Sequence, residues 1–200
     1  MRFVTMIYLL SLTACSDVEE DSHDHHDHDH ELMTTVTLTL TSGDETMTVA
    51  WADPEQDGDP VIDTLTLTEG VVYDASLGFL NEAEEPAEDI TPEILDEAEE
   101  HQVFVFGNAV EGPGTDANPD ALVLHEYNDM DDNGLPIGLE NTFEAVMMGS
   151  GELTIVLRHQ PEEDGQAVKV EGQAADLAAE GLAAVGGASD IEVTFPVMVE

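Results

Sequence analysis

Thr34–Thr41 reads TTVTLTLT. Val36, Leu38 and Leu40 alternate with Thr35, Thr37, Thr39 and Thr41, as a strand with one buried face requires. The pattern spreads outward from there. After a turn at Ser42-Gly43-Asp44, Met47, Val49 and Trp51 continue it. Leu65 and Leu67 sit among Thr64, Thr66 and Thr68, and Val71, Tyr73, Ala75, Leu77 and Phe79 share one face of a longer strand. Val103 to Phe106 is apolar on both faces, which predicts a central strand. Leu122–Tyr127, Ile137–Met147 and Leu153–His159 follow, and Ile191, Val193, Phe195, Val197 and Val199 close the chain. About eight or nine such strands with turn signals between them predict an all-β, antiparallel, Ig-like sandwich over residues 32–200. Pro196 has no N–H, so its strand must be unpaired on one side there. One short helix is predicted: Thr91 as cap, Pro92 at the first helical position, then Glu93 to Glu100. Residues 161–189, rich in Gly and Ala, read as a long mobile loop with one helical turn near Ala174–Ala184.

The charge balance is extreme: 46 acidic side chains against 3 basic ones, a formal net charge of −43. That excludes a nucleic-acid footprint and a polybasic lipid-docking patch. Disorder does not follow, because 42% of residues are apolar and can form a core beneath the acidic shell.

The N-terminus reads as an address. Arg2 precedes an apolar run from Phe3 to Leu12, too short to span a bilayer as a helix. It ends in Leu12-Thr13-Ala14-Cys15, which resembles a bacterial lipobox: residues 1–14 as signal peptide and Cys15, the one cysteine, as the lipidated residue. The expected location is the cell envelope, as an outer-membrane lipoprotein facing either side, with the acyl chains as membrane anchor. Residues 15–31 form an acidic tether without apolar periodicity. Five of the eight histidines lie there: His23, His25, His26, His28 and His30, interleaved with Asp24, Asp27 and Asp29. Imidazole with carboxylate suits zinc or another divalent transition metal, and a flexible chain can wrap several such groups around one ion. The competing reading is a solvated spacer. An outer-membrane receptor is the partner expected for a metal carrier at this address.

The folded part holds further cation candidates. Asp129, Asp131, Asn133, Gly134 and Glu140 keep the spacing of a calcium loop, which equally describes a hairpin built on Asp, Asn and Gly turns. Asp53, Glu55, Asp57 and Asp59 around Gly58 form a looser acidic loop. Glu93, Glu97 and His101, four apart, would share one helical face, and His159, ending the alternation of Leu153, Ile155 and Leu157, could complete a metal site with Glu97 and His101. A satisfied structural histidine is the alternative at each position, and His125 reads as structural. Arg158, one of two cations after the signal peptide along with Lys169, is expected to form a bidentate carboxylate pair. No P-loop, dinucleotide fingerprint, nucleophile elbow or HExxH motif occurs, so no catalytic residues are assigned and the chain is read as a non-enzyme.

FLNEAEEPAEDIT (Phe79–Thr91), DEAEEHQVF (Asp96–Phe104), DMDDNGLPIGL (Asp129–Leu139), LTIVLRHQP (Leu153–Pro161) and SDIEVTFPV (Ser189–Val197), with TTVTLTLT, resemble a family of small acidic bacterial lipoproteins named for a type 1 periplasmic binding domain. A true type 1 fold needs two α/β lobes, and no alternating βα units are legible here. The resemblance implies an envelope position, an acidic or His-bearing tether and a β architecture, without a reaction.

Overall fold

The computed structural model of the chain describes residues 32–115 and 117–200. Cys15 and the tether candidates His23, Asp24, His25, His26, Asp27, His28, Asp29 and His30 lie outside the described residues. In chain order the elements are β1 (Thr35–Ser42), β2 (Glu45–Ala52), β3 (Val61–Ile62), β4 (Leu65–Leu67), β5 (Val72–Asn81), β6 (Glu88–Asp89) and α1 (Thr91–Asp96). Then come β7 (His101–Phe106), β8 (Val110–Glu111), β9 (Val123–Tyr127), β10 (Glu140–Ala145), β11 (Gly149–His159), α2 (Gln173–Glu180), a 3-10 turn (Leu182–Ala184) and β12 (Ala188–Val199).

The strands form an eight-stranded sheet, β3-β2-β1-β5-β10-β9-β8 with β6 added on β5, and a four-stranded sheet, β4-β12-β11-β7. Their inner faces share one core. Val36, Leu38 and Leu40 of β1 meet Tyr73, Leu77 and Phe79 of β5 and Phe143 of β10, and opposite them lie Ile155, Val193 and Phe195. The threonines of β1 face outward, where Thr39 and Thr48 are hydroxyl partners at 3.0 Å and Thr41 and Thr46 at 3.1 Å, opposite each other in the β1–β2 register.

The all-β class read from the alternation holds, with corrections in detail. The described residues contain twelve strands, not eight or nine; β3, β6 and β8 are two residues long, too short to show a period. The β4–β12 and β8–β9 pairings are parallel, so the sheets are mixed. The division into eight and four strands also departs from the Ig-like arrangement. Pro196 pairs with Glu152 of β11 alone, because β4 joins β12 only from Val197 onward.

β7 is not central. It ends the four-stranded sheet, and its edge is covered by a loop: the Val103 N–H donates to the Ile137 carbonyl (2.7 Å), and the Tyr127 hydroxyl donates to the Val103 carbonyl (3.0 Å). It is apolar on both faces because α2 covers the outer one. Leu177 and Val185 pack on Phe104 in a second cluster apart from the intersheet core. The stretch expected to be a loop with one helical turn near Ala174–Ala184 therefore holds a two-turn helix at Gln173–Glu180. The first helix is shorter than expected. Thr91 does not cap it; its hydroxyl accepts the Phe79 N–H at 2.9 Å, and Ile90 is the N-cap. The helix stops at Asp96, with no basic residue in its last turn, and Glu97, Glu99 and Glu100 beyond it all oppose the helix dipole.

Candidate metal centre

β7 and β11 run antiparallel, with Val105 opposite Ile155, Val103 opposite Leu157 and, at the end of the sheet, His101 opposite His159. Alternation puts both histidines on the intersheet side, in line with those core residues. Their rings stack with centroids 4.6 Å apart and planes 5° apart, and both are buried. The sequence brought these two together only by alternation; the strand register turns that into direct cross-strand contact.

Carboxylates surround the pair. The His101 Nδ1–H donates to the Glu97 carbonyl at 3.2 Å, and the Glu97 Oε2 lies 3.8 Å from the same nitrogen. A carbonyl only accepts, so this contact places the proton on Nδ1 and the lone pair on Nε2. That Nε2 lies 3.7 Å from Asp190 Oδ2, and His159 Nε2 lies 3.8 Å from Glu100 Oε2. Both gaps exceed hydrogen-bond length. Glu97, His101 and His159 offer ligand atoms all within 4.8 Å of one another. A tetrahedral zinc sets its nitrogen ligands about 2.0–2.1 Å from the ion and so about 3.3 Å apart. Closing that gap takes rotation of the exposed Glu97 side chain and a tilt of the rings out of parallel. Burial lowers the His101 pKa; the Glu97 carbonyl contact and the Asp190 and Glu97 charges pull the other way and lose, so the ring is neutral at neutral pH, the ligating form.

Glu93, Glu97 and His101 do not share one helical face. α1 ends before Glu97, so Glu97 reaches His101 across a tight turn, with the Glu100 N–H donating to the Glu97 carbonyl (2.9 Å), and Glu93 is not part of the cluster. Two acids escaped the sequence reading. Glu100 is the immediate neighbour of His101 and was legible as such. Asp190 was not: Leu157 pairs with Ile191 and Arg158 with Ser189, so Asp190 is the extra residue of a β-bulge, which re-aims its carboxylate toward His101. A cleft of about 610 Å³, with Leu95, Glu97, Glu99, Glu100, Met130 and Asp132 in its walls, opens beside the two glutamates.

The calcium-spaced loop closes differently. Asp129 accepts the N–H groups of Gly138 (2.7 Å), Leu139 (2.9 Å) and Glu140 (3.0 Å). Asp131 Oδ1 accepts those of Asn133 (2.9 Å) and Leu135 (2.8 Å), and its Oδ2 pairs with Lys169 Nζ at 2.8 Å. Burial alone would raise the Asp131 pKa; Lys169 and the two N–H groups outweigh it and hold the carboxyl low. Glu140 heads β10 and is exposed. Asp129, Asp131, Asn133 and Glu140 thus lie in one hairpin, closed by the Asp129 and Asp131 carboxylates, in which Asp131 also takes the chain's own Lys169 ammonium. Asp53 likewise closes a turn, accepting from the Asp57 and Gly58 N–H groups, and Asp57 accepts from Asp59.

His125 is structural, as expected: its Nε2 faces Asn141 Oδ1 at 2.9 Å, and Phe143 and Tyr127 meet the ring edge-on. Among the described residues Arg158 shows no bidentate carboxylate pair. It fans its donors over the carbonyls of Val185 (2.8 Å), Gly186 (2.9 Å) and Gly187 and the Ser189 hydroxyl (2.9 Å), fixing the approach to β12. Gly187 is required there, at φ +76°, because a Cβ would overlap the His159 carbonyl. No protein-family model matches the chain, and comparisons with curated proteins and with solved structures return no match.

Proposed function

We propose that this chain is a lipid-anchored cell-envelope protein that binds divalent transition-metal ions, zinc foremost, at its His/Asp tract and at Glu97–His101–His159. The observation that carries the reading is the stacked, buried pair of imidazoles with a carboxylate, ligand atoms within 4.8 Å of each other. Two imidazoles and carboxylate oxygens suit zinc and its neighbours and not calcium, which takes six to eight oxygens. The acidic cleft beside Glu97 and Glu100 concentrates cations at the entrance. The tract at His23–His30 has the same donor types, and its position behind Cys15 is the reason for placing the protein at a membrane.

Zinc calorimetry on the full mature chain tests this. Two classes of site are expected. Replacing the five tether histidines by Ala removes one class, and His101→Gln or His159→Gln removes the other. An unchanged isotherm in both histidine variants rejects the folded site; an unchanged isotherm without the tether histidines rejects the tract.

A further inference from the structure

Lys169 is the one lysine of the chain, and its side chain is 1% exposed. Its ammonium reaches residues of both walls of the acidic cleft. One wall is the turn from α1 to β7, which carries Glu97, Glu99 and Glu100; the other is the Asp-rich loop before β10. The ammonium donates to the Ala98 carbonyl at 2.7 Å on the first wall and pairs with Asp131 at 2.8 Å on the second. Ala98 follows Glu97 directly and precedes Glu99 and Glu100. The backbone of the ligand-bearing turn is therefore held at its centre by a charge-assisted hydrogen bond. Asp131 in turn is fixed by the N–H groups of Asn133 and Leu135, so the anchor is rigid.

We propose that Lys169 is the positioning residue of the Glu97–His101–His159 metal centre, setting the place of Glu97 and Glu100 relative to the two imidazoles. This rests on the reading of that cluster as a metal site. The ammonium touches no ligand atom; it acts through the Ala98 carbonyl, as an outer-sphere partner does. The same contact explains why a loop with calcium spacing serves this centre: its acids draw in the lysine that pins the opposite wall.

The test uses the full chain with the five tether histidines replaced by Ala, and zinc or cobalt(II) alone as probe. Lys169→Met is expected to weaken zinc binding about ten- to a hundredfold and to change the cobalt(II) visible spectrum, a change that lost stability alone would not produce. The double variant Lys169→Met/Asp131→Asn, which leaves no unpaired buried charge, is expected to do the same. In the parent chain the single lysine side-chain NMR signal is expected to move on zinc addition, a readout independent of any variant's folding. Wild-type zinc affinity and cobalt spectrum in the folded variants, or a lysine signal blind to zinc, would overturn the proposal. If His101→Gln also leaves zinc binding intact, the metal reading itself fails; if only His101→Gln weakens it, Lys169 alone is dismissed.

Discussion

The His125 ring is 2% exposed, and Asn141 determines its tautomer. The Asn141 amide N–H donates to the Gly138 carbonyl at 2.8 Å, which turns its oxygen toward His125, so the His125 Nε2 carries the proton. Among the described residues its buried Nδ1 then faces no hydrogen-bond partner, and burial pushes the pKa down to about 4 despite the Asn141 contact. The folded value lies below the ordinary 6.5, so the unfolded chain takes up the proton first as pH falls. The stabilisation is complete above about pH 6.5 and drains away down to about pH 4, a loss of about 3 kcal/mol. Urea unfolding at pH 7 and pH 4 checks this: His125→Gln is expected to lose less stability over that interval than the parent, by about that amount. Parallel losses would mean the ring is not held neutral. His125 was legible as structural from its place mid-strand between Leu124 and Glu126. Asp190 and Lys169 were not legible, because a bulge and a contact with Asp131 are tertiary facts that leave no mark on local spacing.

Strands were readable where they are long and one-faced. β1, β5 and β12 show clean alternation in both sequence and burial. β7 misled, because its apolar outer face signals a cover without saying whether that cover is a sheet neighbour or a helix. α2 showed only as one helical turn near Ala174–Ala184, for the complementary reason: QAADLAAE offers Leu177 as its one large apolar anchor, and Gly172 and Gly181 bound it. Its stability must come from docking on Phe104, since a helix this short does not persist alone. Leu177→Ala is therefore expected to cost about 2–3 kcal/mol. Hydrogen exchange should show lost protection across residues 173–184 with β1, β5 and β10 unaffected. Protection retained in α2 would mean that other contacts hold it.

The two cations among the described residues, Arg158 and Lys169, are both buried, so the acids of the described surface face solvent without a Lys or Arg among them. The charge count that first excluded nucleic acid thus gains a structural meaning: basic side chains are spent on internal pins, and the acidic coat is uncompensated. Salt shortens the reach of that repulsion from about 30 Å at 0.01 M to about 3 Å at 1 M. The melting temperature is expected to climb between those sodium chloride concentrations, and a flat or falling trend would mean the coat does not strain the fold. The β class was legible because core alternation tolerates any surface charge; the metal centre was legible in part, since Glu97, His101 and His159 were named from spacing while the register that joins them is a property of the assembled sheet.

With the five tether histidines replaced, the full chain keeps three: His101, His125 and His159. Their ring nitrogens can then be followed individually by nitrogen-15 NMR during addition of one equivalent of zinc. The ring nitrogens of His101 and His159 are expected to shift together and saturate together, while His125, enclosed between Asn141, Tyr127 and Phe143, stays in place. Zinc that leaves both His101 and His159 unmoved would contradict a metal centre in the folded body.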